Sequence, residues 1–597
     1  MEIPSGRWLP SYAWTRGSEA VNVRTTLAAL SILTLLALPV RTTAQEPSQP
    51  FVSIALHDVV DTRAELDEDA ITSDRLVALF EWLAGNGWTA ISLDDIERAR
   101  TGAKPLPPRA ILITVDDGRQ SLYARVYPLA LAYRTPIVAA IVGSWMDTPA
   151  NASVRYGERN LPRTGFISWA QAREMQASGL VEFASHSHAL HDVVIANPQG
   201  NVLPAAQNLA FANGRYESPA AFRTRIDTDL VRSRERMREE LGRAPRAIAW
   251  PYGRYNQDAL DVATSRGFRF ALTLSPAPAD AAHPLDIGRF LPTGDPLLGI
   301  TVANLRFEDP WPAARRVVEV DPARVFDGDA EASNARLGRV IERLVAIGAT
   351  HVAIDAATLS ADGRIDGTWF PTSLLPVRND VLPRLAAQMR ARAGVSVAVR
   401  LPHIAVLRTL GDEQRALALY ADLARHVPFE AMLLEDVDAL GESTASAQDD
   451  PADVRARRQA SDSAGWRRED AFALQAFRIA ERTRSGLELF WLAPSTHPLD
   501  RPSGLAELTL VPRGFDAAML PATPRLDVPL SRRTGLWWTT DSRVDPAALV
   551  RAMRAFQVDG GTVFGWRPDD PLSDTPKAAI VAPAFSSRDA PLRRQGP

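Results

Sequence analysis

Cysteine is absent from the sequence. That excludes disulfides, thiolate metal sites, cysteine nucleophiles and a lipidated-cysteine anchor, so any metal must be held by His, Asp or Glu. Charge of one sign is also lacking. The 67 basic and 71 acidic residues leave a formal net charge of −4, which points to neither nucleic acid nor a membrane surface as a partner. Long apolar runs are scarce too. The notable one follows Arg24 and extends from Thr26 to Val40, ahead of the small residues Thr42-Thr43-Ala44. At about fifteen residues it is too short to cross a bilayer comfortably and matches the core of a signal peptide. Residues 1–44 are therefore read as a leader and set aside from the fold, a retained anchor being the other reading. The remainder is expected to work outside the cytoplasm.

At 597 residues, the chain is too long for one core and calls for several domains. Short apolar runs alternate with helical patterns from Phe51 onward, the mark of an α/β architecture. Strands are predicted at 52–56, 110–115, 137–142, 181–184, 247–250 and 270–274, with a helix over 74–85 that repeats Leu76, Leu79, Phe80 and Leu83 on one face. This series suggests a barrel of parallel strands, placed as a domain over 51–300. Pro292, Pro310 and Pro312 punctuate its end. A second series follows over 312–590, with strands predicted at 316–320, 351–354, 395–399, 431–434, 487–492, 515–520, 535–539 and 562–566. Its size and order fit a (β/α)8 barrel. The polar stretch 442–460 reads as a loop.

Four segments of the first domain concentrate chemistry. In Thr114-Val115-Asp116-Asp117-Gly118, two adjacent carboxylates follow a strand. Neighbouring side chains on an extended chain point opposite ways, so both reach one pocket only if the backbone bends, as Gly118 permits. One carboxylate can then bind a divalent metal while the other takes a proton. In Ser185-His186-Ser187-His188-Ala189-Leu190-His191, three of the chain's nine histidines fall together. His186 and His191 are five apart, a spacing that a helix does not align, so they converge more easily from a strand end and its loop. Trp250-Pro251-Tyr252-Gly253 is a turn after a buried strand that can aim a backbone N–H at an oxyanion. His57, at the end of the first strand, is the residue type that most readily supplies a general acid near neutral pH.

Together these segments resemble the polysaccharide deacetylases of carbohydrate esterase family 4, whose fold is a distorted (β/α) barrel of the NodB-like type. The resemblance implies that Asp116 is the general base and that Asp117, His186 and His191 bind a divalent metal: zinc, nickel or cobalt. It further implies that the Tyr252 N–H stabilises the oxyanion and that Arg246 holds the base. A late catalytic histidine usual in that family is missing, since Leu272-Thr-Leu-Ser-Pro stands in its place. The chain resembles in this respect the poly-β-1,6-N-acetylglucosamine deacetylases of biofilm export, whose motifs are circularly permuted and whose acid histidine sits on the first strand, as His57 does. Trp82-Leu-Ala-Gly-Asn-Gly-Trp88, Ser92-Leu-Asp-Asp95, Gly143-Ser-Trp145 and, in the second domain, Trp369-Phe-Pro carry the same resemblance. It implies poly-N-acetylglucosamine as substrate, a periplasmic or secreted location and an outer-membrane export porin as partner. Another N-acetylated glycan, or a non-catalytic export scaffold, is the alternative.

In that branch the second barrel is a glycoside hydrolase, a chemistry that needs two carboxylates. Here Asp321 and Asp327 persist and Asp321 with Asp436 is the candidate pair, but Ala323 replaces one expected carboxylate, and Glu435-Asp436-Val437-Asp438 replaces a His-Asp-Asp motif. A weakened or lost hydrolase that binds glycan is expected. Trp369, Trp537, Trp538 and Trp566 are candidates for stacking on sugars or for the core.

Overall fold

A computed structural model describes residues 49–275, 278–307, 314–326, 328–435, 463–492, 508–514, 534–540, 544–558 and 560–586. The leader, Pro310, Pro312, Asp327, Asp436 and the expected loop at 442–460 lie outside these residues. From Pro47 on, the chain forms one compact unit holding two large sheets, with several two-stranded ones beside them.

Six of the eight strands of the first sheet are β1 (Pro50–Leu56), β2 (Ala110–Val115), β3 (Ile137–Ile141), β4 (Val181–Ser185), β5 (Ala247–Ala249) and β6 (Phe270–Leu272). They run parallel in chain order. Every residue of β2, β3, β5 and β6 is buried, as expected of parallel strands covered on both faces. The helix Ser73–Gly85 forms where its sequence allows a cap. The Thr72 side chain accepts from the Arg75 N–H, and Leu76, Leu79, Phe80 and Leu83 are the buried face. Isolated bridges of Ile287 to Leu272 and of Phe290 to Ile54 lay the segment between β6 and β1 and curl the sheet into a distorted barrel. Registers Leu56–Val115, Ile141–Ser185 and Ile248–Ser185 bring the strand ends to one level. His57, Asp116, Gly143, His186 and Trp250 thus share the C-terminal rim, where α/β barrels carry their chemistry.

The second sheet is a closed barrel of parallel strands: β7 (Arg315–Val320), β8 (His351–Asp355), β9 (Ser396–Arg400), β10 (Ala431–Glu435), β11 (Glu488–Leu492), β12 (Leu508–Gly514), β13 (Thr534–Thr539) and β14 (Val563–Arg567). Its interior packs Val317, Ala353, Ala398, Leu433, Phe490 and Trp537. A Cβ at Gly565 would lie 1.6 Å from the Val317 carbonyl oxygen, so only glycine fits that close approach. The strand after β11 occupies Leu508–Gly514, ahead of the expected 515–520, which lies outside the described residues. Trp369, Trp537, Trp538 and Trp566 are all buried at 6% exposure or less, which places them in the core rather than on a sugar-stacking surface.

Between the barrels, the Tyr216 hydroxyl donates to Asp380 Oδ2 at 2.6 Å and Arg484 Nη1 donates to Asn208 Oδ1 at 2.8 Å. Burial pushes the Asp380 carboxyl up to about 6, despite the Tyr216 bond.

Candidate metal centre

The two carboxylates reach one pocket because the chain turns sharply after β2. Asp117 has φ 71° and Gly118 φ 67°, both left-handed, and the Gly118 N–H returns to the Asp116 carbonyl at 2.9 Å. A left-handed aspartate is disfavoured by roughly 1–2 kcal/mol. Such strain persists where the surroundings over-determine it, as at functional sites.

Asp117 Oδ1 faces two imidazole nitrogens, His186 Nε2 at 3.4 Å and His191 Nε2 at 3.3 Å. The ligand atoms of these three residues all lie within 4.8 Å of one another. Asp117 Oδ1 is buried and accepts no hydrogen bond, an orphan that a cation between the three groups would satisfy. The other oxygen, Oδ2, accepts from the Tyr156 hydroxyl at 2.6 Å. Burial and the Asp117 charge raise the Tyr156 pKa, so the phenol stays a donor. His186 Nδ1 sits 2.7 Å from the Ala249 carbonyl, which accepts only if Nδ1 carries the proton; Nε2 then presents its lone pair to the centre. His191 is wedged between aromatic rings, 4.7 Å from Trp145 and 4.6 Å from Tyr252. One carboxylate and two imidazoles with room for further ligands is a donor set that fits a divalent metal ion.

Asp116, beside this centre, is 1% exposed. Its Oδ1 accepts from Arg289 Nη1 at 2.8 Å, and the same guanidinium donates to the Thr114 hydroxyl and the Thr273 carbonyl. Burial pushes the Asp116 carboxyl up, but the charges of Arg289 and His186 outweigh it and hold it below its ordinary value. Arg289 comes from the segment that closes the sheet. The expected holder of the base, Arg246, is elsewhere. It forks onto Glu182 at 2.7 and 2.8 Å and reaches Asp94 at 2.6 Å. Arg246 precedes β5, so it lies at the opposite end of the strand from Trp250 and the rim.

Tyr252 lies in the turn Pro251–Gly253 with φ 59°, and its hydroxyl donates to the His191 carbonyl at 2.8 Å. His57 follows β1 on the rim, and its Nδ1 is buried without a hydrogen-bond partner. The neighbouring Asp58 fixes this loop by accepting from Arg119 at 2.8 Å and from the Val59 N–H at 3.0 Å. His188 is buried, and a Cβ on Gly143 would come within 2.6 Å of its Nδ1, so it packs rather than joining the three ligands. Sequence reasoning missed Arg289, Tyr156 and the Asp58–Arg119 pair. Arg289 and Tyr156 lie in no motif, whereas Asp58 and Arg119 directly follow the named residues His57 and Gly118.

In the second barrel, Asp321 follows β7 and spends Oδ1 on the Ala323 N–H at 2.9 Å, capping a short helix. Asp436 lies outside the described residues, so the pair is not assembled here. On the same rim, Arg400 holds Asp355 through Nε and Nη2, the latter at 2.7 Å, and reaches Glu319 at 3.4 Å.

Residues 103–271 match the model of the polysaccharide deacetylase family, and residues 318–414 that of hypothetical glycosyl hydrolase family 13. A poly-β-1,6-N-acetyl-D-glucosamine N-deacetylase of Escherichia coli (strain K12) is 32% identical over 430 residues, covering 66% of this chain and 63% of that protein. The chain therefore spans less than two thirds of the length of that relative. The enzyme of the same name from Staphylococcus aureus (strain MSSA476) is 24% identical over 210 residues, 35% of this chain and 63% of that protein. A solved de-N-acetylase from Aggregatibacter actinomycetemcomitans is 36% identical, covering 43% of this chain and 100% of that one, with a TM-score of 0.41.

Proposed function

For a chain whose first barrel belongs to the polysaccharide deacetylase family, we propose metal-dependent N-deacetylation of poly-β-1,6-N-acetyl-D-glucosamine outside the cytoplasm. The observation that carries this reading is the buried, unpartnered Oδ1 of Asp117 between two imidazoles, with Asp116 held ionised beside it. Asp117, His186 and His191 hold the ion, which when bound supplies Lewis acidity toward water and the acetamide carbonyl. Zinc, nickel and cobalt all suit these ligands. Asp116 takes the proton of the attacking water. The Tyr252 N–H donates to the carbonyl oxygen as it gains charge, and His57 gives a proton to the departing amine. The C–N bond breaks, leaving acetate and a glucosamine residue.

The β-1,6 linkage is inferred from the relatives named above, and an outer-membrane export porin is the partner proposed with it. The second barrel is read as a glycan-binding domain with weakened or absent hydrolysis. Ala323 in place of an expected carboxylate supports this, and Asp321 Oδ1 is engaged by the Ala323 N–H at 2.9 Å.

The test is acetate release from β-1,6-linked N-acetylglucosamine oligomers, with and without chelator, for wild type and Asp116→Asn. Release that stops on chelation and falls about 10²–10⁴-fold in the variant is expected for loss of a general base. Release from no linkage, or release indifferent to chelator, sinks the reading.

A further inference from the structure

His186 and His191 belong to one short loop, so what fixes that loop fixes the distance between two ligands. Its backbone hydrogen bonds can be followed one by one. The Ser187 N–H donates to Ser185 Oγ at 3.0 Å, and the Leu190 N–H donates to Ser187 Oγ at 2.9 Å. The two N–H groups between them both go to one carboxylate on a distant helix. His188 N–H donates to Asp229 Oδ1 at 2.8 Å, and Ala189 N–H donates to Asp229 Oδ2 at 2.7 Å. Each of residues 187–190 therefore donates its N–H to a side chain. Ser187 is held at φ 69°, a left-handed conformation disfavoured by roughly 1–2 kcal/mol for a residue with a side chain.

Asp229 stands on the helix Pro219–Leu241, which Ser218 caps and Gly242 ends with φ 76°. One turn further along the same face, Ser233 Oγ lies 2.7 Å from Ser185 Oγ, the group that receives the Ser187 N–H. The helix thus reaches the loop at two successive turns. Among the described residues no cation bonds to the Asp229 carboxylate: Arg225, its neighbour on the helix, is engaged by Glu217 at 2.8 Å. Burial pushes the Asp229 carboxyl up to about 6 even against its two N–H bonds. A carboxylate kept in such a place with only the unbonded charges of Arg225 and Arg232 near it calls for a use.

We propose that Asp229 is a positioning residue, whose two-pronged grip on the His188 and Ala189 N–H groups sets the spacing of His186 and His191 and so the affinity of the centre for a divalent ion. The inference rests on the metal-dependent reading above. It adds that the centre is built jointly by the rim loop and a helix that contributes no ligand. An amide at this position keeps one acceptor but turns an NH₂ against the other N–H, so Asp229→Asn breaks one prong with little change of volume.

The experiment is a Zn²⁺ titration of the full, metal-stripped chain against a chromogenic chelator, together with the visible spectrum of the Co²⁺ form. Asp229→Asn is compared with Asp227→Asn, two residues away, whose carboxylate pairs with Arg266 at 2.6 and 2.7 Å. Asp229→Asn is expected to bind Zn²⁺ about 10–100-fold more weakly and to shift the Co²⁺ spectrum, as losing an outer partner of a ligand does. Activity should return at excess Zn²⁺ with KM for the oligomer unchanged, and Asp227→Asn should match wild type. Zn²⁺ affinity and Co²⁺ spectrum both equal to wild type in Asp229→Asn would overturn the proposal. If that variant does not fold, Asp229→Glu keeps both acceptors but displaces the grip by one methylene: weaker Zn²⁺ binding upholds the proposal, and wild-type binding overturns it. Failure of the wild-type chain itself to bind Zn²⁺ removes the metal reading beneath, a result separate from either.

Discussion

At the rim of the first barrel, Asp117 keeps one buried oxygen without a hydrogen bond, whereas at the rim of the second, Asp355 is forked by Arg400. Both acids lie at the C-terminal ends of parallel strands. A buried acceptor left unmet costs about 1–3 kcal/mol, so it persists where something outside the chain meets it. A carboxylate gripped by a guanidinium has its acceptor capacity filled and its charge answered from within. The contrast separates an acid arranged for an incoming ion from an acid already answered within the chain. Carboxylates at a barrel mouth are therefore no sufficient sign of chemistry; their unmet valence is the better one.

The largest effect expected from breaking this contrast comes from Asp117→Ala. It removes the orphan oxygen, and with it metal content and the several kcal/mol that a bound ion contributes, so acetate release should fall about 10³-fold or more. Metal analysis of the purified variant beside its rate checks this. Next is Arg289→Met. Asp116 is held below the ordinary carboxylate value by Arg289 and His186 against burial, so its ionisation contributes stability and a working base above that value, lost as pH falls through the depressed one. Without Arg289, burial dominates and the acid limb of kcat/KM should move to higher pH, with the rate down about 10-fold or more. Arg289→Lys should recover part of both. Arg246→Met sharpens the same point by contrast. Its partners are Glu182 and Asp94 at the far rim, so the pH profile should stay in place while stability falls by about 1 kcal/mol, read by denaturant unfolding. Smallest is Asp321→Asn in the second barrel. Asparagine caps a helix as well as aspartate does, so stability should change by less than about 0.5 kcal/mol. Fragment patterns of partly deacetylated polymer should not change at all. A changed pattern would show that the second rim is open after all.

Much of the first site was legible because its residues are local and chemically unusual together. Asp116, Asp117, His186 and His191 sit in two short segments, each directly after a strand. Arg289 was not legible, since it meets Asp116 across 173 residues of chain and only the closing of the sheet brings it there. Tyr156 reaches Asp117 from a hairpin, Ser153–Tyr156 with Arg159–Pro162, that carries no motif. The placing of Arg246 failed on strand direction. A residue before a parallel strand and one after its neighbour lie at opposite ends, here about 10 Å apart for a three-residue strand. In the second barrel, β12 was overlooked because Pro512, Arg513 and Gly514 interrupt its apolar run.

The central claim is that the first rim is completed by one metal ion and then removes acetyl groups. Titrating Zn²⁺ into the metal-stripped chain while measuring acetate release from β-1,6-linked N-acetylglucosamine oligomers tests it most directly. The rate should rise from background and level off at about one equivalent, with Asp116→Asn binding the same equivalent and staying near background. Full release by the stripped chain, or wild-type release by Asp116→Asn, would contradict it.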